Sequence, residues 1–126
     1  MPREIKDHRV NGLNECIVIE ALDEPGDGGA NHAYRLSGLK GPLDNHPIPT
    51  TDIKFQNGPV KEAGYNGHTN EAFLAVLIDR LRGFQSGKFA CRENALALTK
   101  LEEAAQWLAH RTRQRIARGV EGTHGE

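Results

Sequence analysis

FQSGKFACRENALALTKLEEAAQWLAHRTRQRIAR, residues 84–118, decides the fold, because it joins the clearest helix of the chain to its densest positive charge. Each helical residue advances by about 100°. Measured from Trp107, the side chains Leu98, Leu101, Ala105, Leu108, Thr112 and Ile116 fall on one apolar side, about 100–180° away. Arg111, Arg115 and Arg118 fall within about 80° of Trp107 by the same arithmetic. The spacing therefore predicts one packing face and, beside it, a stripe of guanidinium groups. Between His110 and Arg118 there are four arginines and no acid. Such a stripe suits a phosphate-bearing ligand, since guanidinium binds phosphate oxygens through two parallel hydrogen bonds. It also suits a solvated helix end whose cations meet the negative end of the dipole. On charge alone the solvated reading weighs more.

Working outward, a second helix is predicted just upstream. Thr69 or Asn70 can cap it, and Glu71 places an acid in the first turn. Phe73, Leu74, Leu77, Ile78 and Leu81 recur at spacings of three and four. Gly83 is expected to end it, leaving Phe84 and Phe89 in a short crossing that makes the two helices antiparallel neighbours. Gly119 terminates the second helix and leaves residues 120–126 as a tail. Two helices cannot enclose a core, so the hairpin of residues 66–119 is expected to offer apolar surface to a second copy of the chain.

The first sixty-five residues read as a β region. MPREIKDHRVNG is polar and expected to be mobile until pairing begins. Glu15–Leu22 is rich in β-branched residues and Ala33–Leu39 alternates, which predicts two strands around the glycine-rich loop at Pro25–Gly29. Gly41–Thr51, with three prolines, is a connector. IKFQ (53–56) is a further strand, turned at Asn57-Gly58-Pro59 into a partner at Val60–Ala63. The expected class is α+β: one domain of 126 residues, with a small N-terminal antiparallel β unit followed by an antiparallel helical hairpin that oligomerises.

Composition narrows the function. The formal net charge is −1, which argues against a surface that coats long nucleic acid. From Lys88 to Arg118 seven Lys or Arg face three Glu, so the positive charge is local. No stretch is apolar and long enough to span a membrane, and Met-Pro-Arg-Glu does not begin a secretory signal. Cys16 and Cys91 read as buried free thiols in a reducing cytoplasm. The six histidines form no zinc or catalytic motif, no phosphate-binding glycine loop is present, and Asp23, Glu24 and Asp27 lack the spacing of an EF-hand. Neither catalytic residues nor a metal nor a cofactor is expected. Glu102 and Glu103 read as solvated or salt-bridging residues. What remains is binding chemistry. Phe84 is either a core plug or a stacking surface for a base, and the Asn94 amide is either an early-turn cap or a reader of base edge or ribose. A ring, an amide and several arginines are the parts a small nucleotide needs.

The pattern Glu93, Ala95, Thr99, Leu101, Glu102, Ala104, Trp107, together with the ending RGVEGTH (118–124), resembles the phage anti-Thoeris proteins. These share a helical hairpin with phage anti-CBASS proteins, and the resemblance runs from about Ile53 to His124. It implies a sponge acting in the cytoplasm of the infected bacterial host. Such proteins bind glycocyclic ADP-ribose isomers without degrading them, and some members hold cyclic di- and trinucleotides at a separate site. It implies further that Phe84, Asn94, Arg111 and Arg115 line an ADP-ribose pocket built between two protomers of a homo-oligomer, a hexamer in the family. With it the balance reverses in favour of a ligand role for Arg111 and Arg115, while Arg113 and Arg118 stay even. The alternatives are a small nucleotide-hydrolysing enzyme and an oligomeric nucleic-acid-binding module.

Overall fold

The computed structural model describes residues 2–38, 47–120 and 123. The chain falls into two compact units, residues 1–57 and 58–126. The class is α+β, with an antiparallel sheet first and the helices after it.

In the first unit, β1 (Arg3–Ile5), β2 (Ile17–Ala21), β3 (Ala33–Gly38) and β4 (Thr51–Lys54) form one sheet in the order β1-β2-β3-β4. The registers Ile5↔Ile19↔Leu36 and Ala21↔Tyr34↔Ile53 place the apolar side chains on one face. Glu4, Glu20, Arg35 and Asp52 share the other. There Arg35 grips Asp52 through Nε at 2.7 Å and Nη2 at 3.2 Å, an exposed pair screened by water.

Two expectations about this unit need correction. The opening residues are not free to the start of β2, since Arg3–Ile5 pairs with it and a helical turn, α1 (Gly12–Glu15), precedes it. Asn11 starts α1, its side-chain oxygen accepting from the Asn14 N–H at 3.0 Å. β2 is correspondingly shorter than Glu15–Leu22. The Leu39 end of the predicted return strand and much of the proline-rich connector, residues 39–46, lie outside the described residues.

The loop after β2 is tied down by Asp23. Its carboxylate accepts from the backbone N–H groups of His32 at 2.9 Å and Ala33 at 3.3 Å, and from the Asn31 amide at 3.2 Å. The His32 contact leads in holding this carboxyl below its ordinary value of 3.8, with burial opposing it. A folded-state value below the unfolded one stabilises fully above the ordinary range and fades as pH falls through the folded value. Acid unfolding followed by circular dichroism should therefore show stability dropping below about pH 3.8. Asp23→Asn should start less stable at neutral pH and lose less on acidification; equal acid sensitivity would refute the role.

The second unit opens with α2 (Val60–Ala63), where a strand was expected. Pro59 supplies a fixed φ of −63° at the helix start, and Gly64 stops it at φ +74°. Val60 and Ala63 thus read at helical, not strand, spacing. The Asn57-Gly58-Pro59 turn consequently makes no hairpin. α3 (Asn70–Gln85) begins as predicted, with Thr69 Oγ1 accepting from the Ala72 N–H at 3.1 Å. It does not stop at Gly83. Ser86 caps it three residues later, its N–H reaching the Arg82 and Gly83 carbonyls and its hydroxyl the Gly83 carbonyl at 2.8 Å. Six residues then lead to α4 (Arg92–Ala117). The two long helices form the expected hairpin, joined on the surface by Arg82–Glu102 at 2.7 Å. Glu102 is thus salt-bridging, one of its two expected readings.

The packing faces follow a heptad-like rhythm. Leu74, Ile78, Leu81 and Gln85 of α3 are at least half-buried, as are Asn94, Leu98, Leu101, Ala105, Leu108, Thr112 and Arg115 of α4. Among the described residues, Ala21 and Ile78 are the only buried hydrophobic side chains. No described helix is long and apolar enough to cross a membrane.

Candidate functional site

Phe84 sits in the last turn of α3, not in the crossing as the sequence suggested. Its ring meets Phe89 edge-on, centroids 6.1 Å apart, and carries the Arg80 guanidinium 4.9 Å above its centroid. Phe84 is half-buried, while Phe89 is exposed. Arg80 is a member of this cluster that the sequence reading missed. Its signal was the four-residue spacing to Phe84, which stacks one side chain on the other along a helix.

Asn94 lies in the first turn of α4 and caps nothing itself. Its N–H is capped by the Cys91 sulfur at 3.4 Å. Cys91 is therefore an exposed helix cap and not the buried thiol expected, while Cys16 is half-buried. The Gln85 side-chain amide pairs with Cys91 from both sides, donating to its carbonyl at 3.2 Å and accepting from its N–H at 3.1 Å. This clamp ties the end of α3, which carries Phe84, to the start of α4, which carries Asn94. Among the described residues, no hydrogen-bond partner takes the Asn94 side-chain amide.

The arginines lie at the other end of α4, and the structure separates them. Arg111 is exposed and forms no ion pair or hydrogen bond among the described residues. Arg113 and Arg118 are exposed as well. Arg115 is only 7% exposed. It continues the packing face, and Ile116, expected on that face, is 60% exposed. Arg115 Nη2 donates to the carbonyls of Val120 at 3.0 Å and Thr123 at 2.8 Å. A guanidinium can be buried where oxygens meet it in this way.

Within one chain, then, the four nominated residues make two groups. Asn94 and Arg111 stand seventeen positions apart on one straight helix. That is about 25 Å along the axis, far longer than one cyclic nucleotide is wide. Among the described residues, no group of three or more His, Cys, Asp and Glu could hold a metal ion.

The model of the "Acb2/Tad1, hairpin domain" family matches residues 47–113, more than half of the chain. The chain belongs to the Acb2/Tad1 hairpin-domain family. The match takes in β4, α2, α3 and most of α4, which agrees with the resemblance read from the sequence. The chain is also similar to "Thoeris anti-defense 1" of Bacillus phage SBSphiJ7, at 58% identity over 72 residues. Those residues are 57% of this chain and 51% of that protein, so the chain spans about half the length of its curated relative.

Proposed function

We propose that this hairpin protein is a phage anti-defence sponge that sequesters glycocyclic ADP-ribose-type immune signals in the host cytoplasm and does not cleave them. It thereby keeps the Thoeris effector from its signal. Cyclic di- and trinucleotides are the second ligand class, at a separate site, by which it would extend to CBASS. Membership of the Acb2/Tad1 hairpin-domain family and likeness to an anti-defence protein support the reading.

The observation that carries it is the separation of the nominated residues. Phe84 and Asn94 stand at one end of α4, Arg111 and Arg115 at the other. A second copy running the opposite way would bring the ring and amide of one chain to the arginines of its partner. The ring stacks the base, the amide orients the sugar, and the guanidinium groups neutralise the diphosphate. Trp107 at 71% exposure, with Val76, Leu77, Leu96 and Ile116, supplies apolar surface for such an association. The assembly proposed is a homo-oligomer of dimer units, a hexamer.

Magnitudes favour a shared pocket. Nanomolar binding corresponds to about −12 kcal/mol, and two charge-assisted contacts supply only about 1.5–3 kcal/mol each. Stacking and exclusion of water must supply the rest, and burial between protomers provides both. Native mass spectrometry with a glycocyclic ADP-ribose added should show an even-numbered oligomer carrying ligand. A compact monomer that takes up the ligand would remove the shared pocket.

A further inference from the structure

The stretch from Gly119 is the most distinctive in the sequence, yet the nucleotide pocket leaves it without a task. Its geometry supplies one. At the end of α4 the Gly119 N–H donates to the Ile116 carbonyl and the Val120 N–H to the Arg115 carbonyl, both at 3.0 Å. This is the double closure of a Schellman turn, and it needs the left-handed backbone that Gly119 adopts at φ +74°. The turn sends the chain back toward the residue it has just left. Arg115 Nη2 then donates to the Val120 and Thr123 carbonyls, while Thr123 Oγ1 donates to the same Val120 carbonyl at 2.5 Å. Arg115 is held twice, by its own carbonyl and by its guanidinium.

We infer that the turn closed by Gly119, Val120 and Thr123 is a positioning element for Arg115, fixing its guanidinium in advance for a phosphate of the bound nucleotide. The inference rests on the proposed ligand role of Arg115. Two carbonyls on one Nη2 use both of its N–H groups and fix the plane of the fork. A long side chain ordered before the ligand arrives spares binding the entropy of ordering it. Gly119, Val120 and Thr123 act through Arg115.

The test uses Gly119, where an added Cβ would meet no atom within 4 Å, so only the backbone angle opposes a side chain. Valine resists a positive φ, whereas asparagine tolerates it. Calorimetric titration with a glycocyclic ADP-ribose, well below each variant's melting temperature, should find Gly119→Val weaker by about tenfold or more. Gly119→Asn should stay within about threefold of the parent. The double variant Gly119→Val with Arg115→Ala should bind no worse than Arg115→Ala alone, since both remove the same contact. Should Gly119→Val fail to fold, Thr123→Val removes the hydroxyl that holds the Val120 carbonyl, and should weaken binding in the same direction.

Parent-like or tighter binding by Gly119→Val, with Arg111→Ala weakened, would overturn the positioning role and leave the pocket standing. Additive losses in the double variant would overturn it too. If the parent protein itself ignores the probe, the nucleotide reading fails and this inference falls with it; if the parent binds and Arg115→Ala binds as the parent does, the inference alone is overturned.

Discussion

Arg111→Ala and Arg115→Ala should each weaken binding of a glycocyclic ADP-ribose by about ten- to over a hundredfold, the loss of one charge-assisted contact of roughly 1.5–3 kcal/mol. Their stabilities should part company. Arg111 is exposed and bonded to nothing among the described residues, so its removal should change unfolding free energy by no more than about 0.5 kcal/mol. Arg115 is buried against the Val120 and Thr123 carbonyls. Truncating it removes a charged donor from each carbonyl and a side chain from the packing face, and should cost about 1–3 kcal/mol. Arg111→Lys should also bind weakly, because an ammonium keeps the charge and loses the planar fork. Thermal melts without ligand, run beside the titrations, separate the two effects. Unchanged affinity in both alanine variants would move the pocket away from the end of α4.

The second large effect concerns what holds the hairpin together. Ile78 is 6% exposed, the most buried apolar side chain of its unit, and Ile78→Ala should cost about 2–5 kcal/mol. Trp107 is 71% exposed in the isolated chain, where Trp107→Glu would alter folding little. If a second copy covers Trp107, the same substitution should dissociate the oligomer at micromolar concentration and abolish ligand binding with it. Sedimentation velocity distinguishes the cases. An unchanged sedimentation coefficient for Trp107→Glu would place the interface on another surface.

The hairpin was legible because its signals are local and repeated. Thr69 before an acid-led turn, apolar residues at three and four, and a glycine at φ +74° after α4 each encode one feature of backbone geometry. The β unit was half legible. A strand as short as Arg3–Ile5 exists through its partner β2, and no property of those three residues announces it. Val60–Ala63 went the other way, since Pro59 and Gly64 bracket a single helical turn that four residues cannot distinguish from a strand by pattern. Gly83 misled because glycine in a helix costs only about 1 kcal/mol, which capping by Ser86 offsets.

The candidate site shows the same division. Asn94 and Arg111 could be placed on their helix from spacing, whereas Phe84 was assigned to the crossing because Gly83 was taken as the end of α3. Arg115 could not be placed correctly, because at about 80° from Trp107 it lies on the border between stripe and packing face. What decides its side is the pair of carbonyls brought back by the turn at Gly119, a contact that periodicity does not contain.

The central claim is that the protein holds a signalling nucleotide without changing it. The most direct measurement loads the protein with a glycocyclic ADP-ribose, removes free ligand, denatures the complex by heat and separates the released material by chromatography. A sponge returns the cyclic molecule intact, in an amount equal to that bound. A linear or cleaved product in excess of the protein would contradict the account and identify an enzyme in its place.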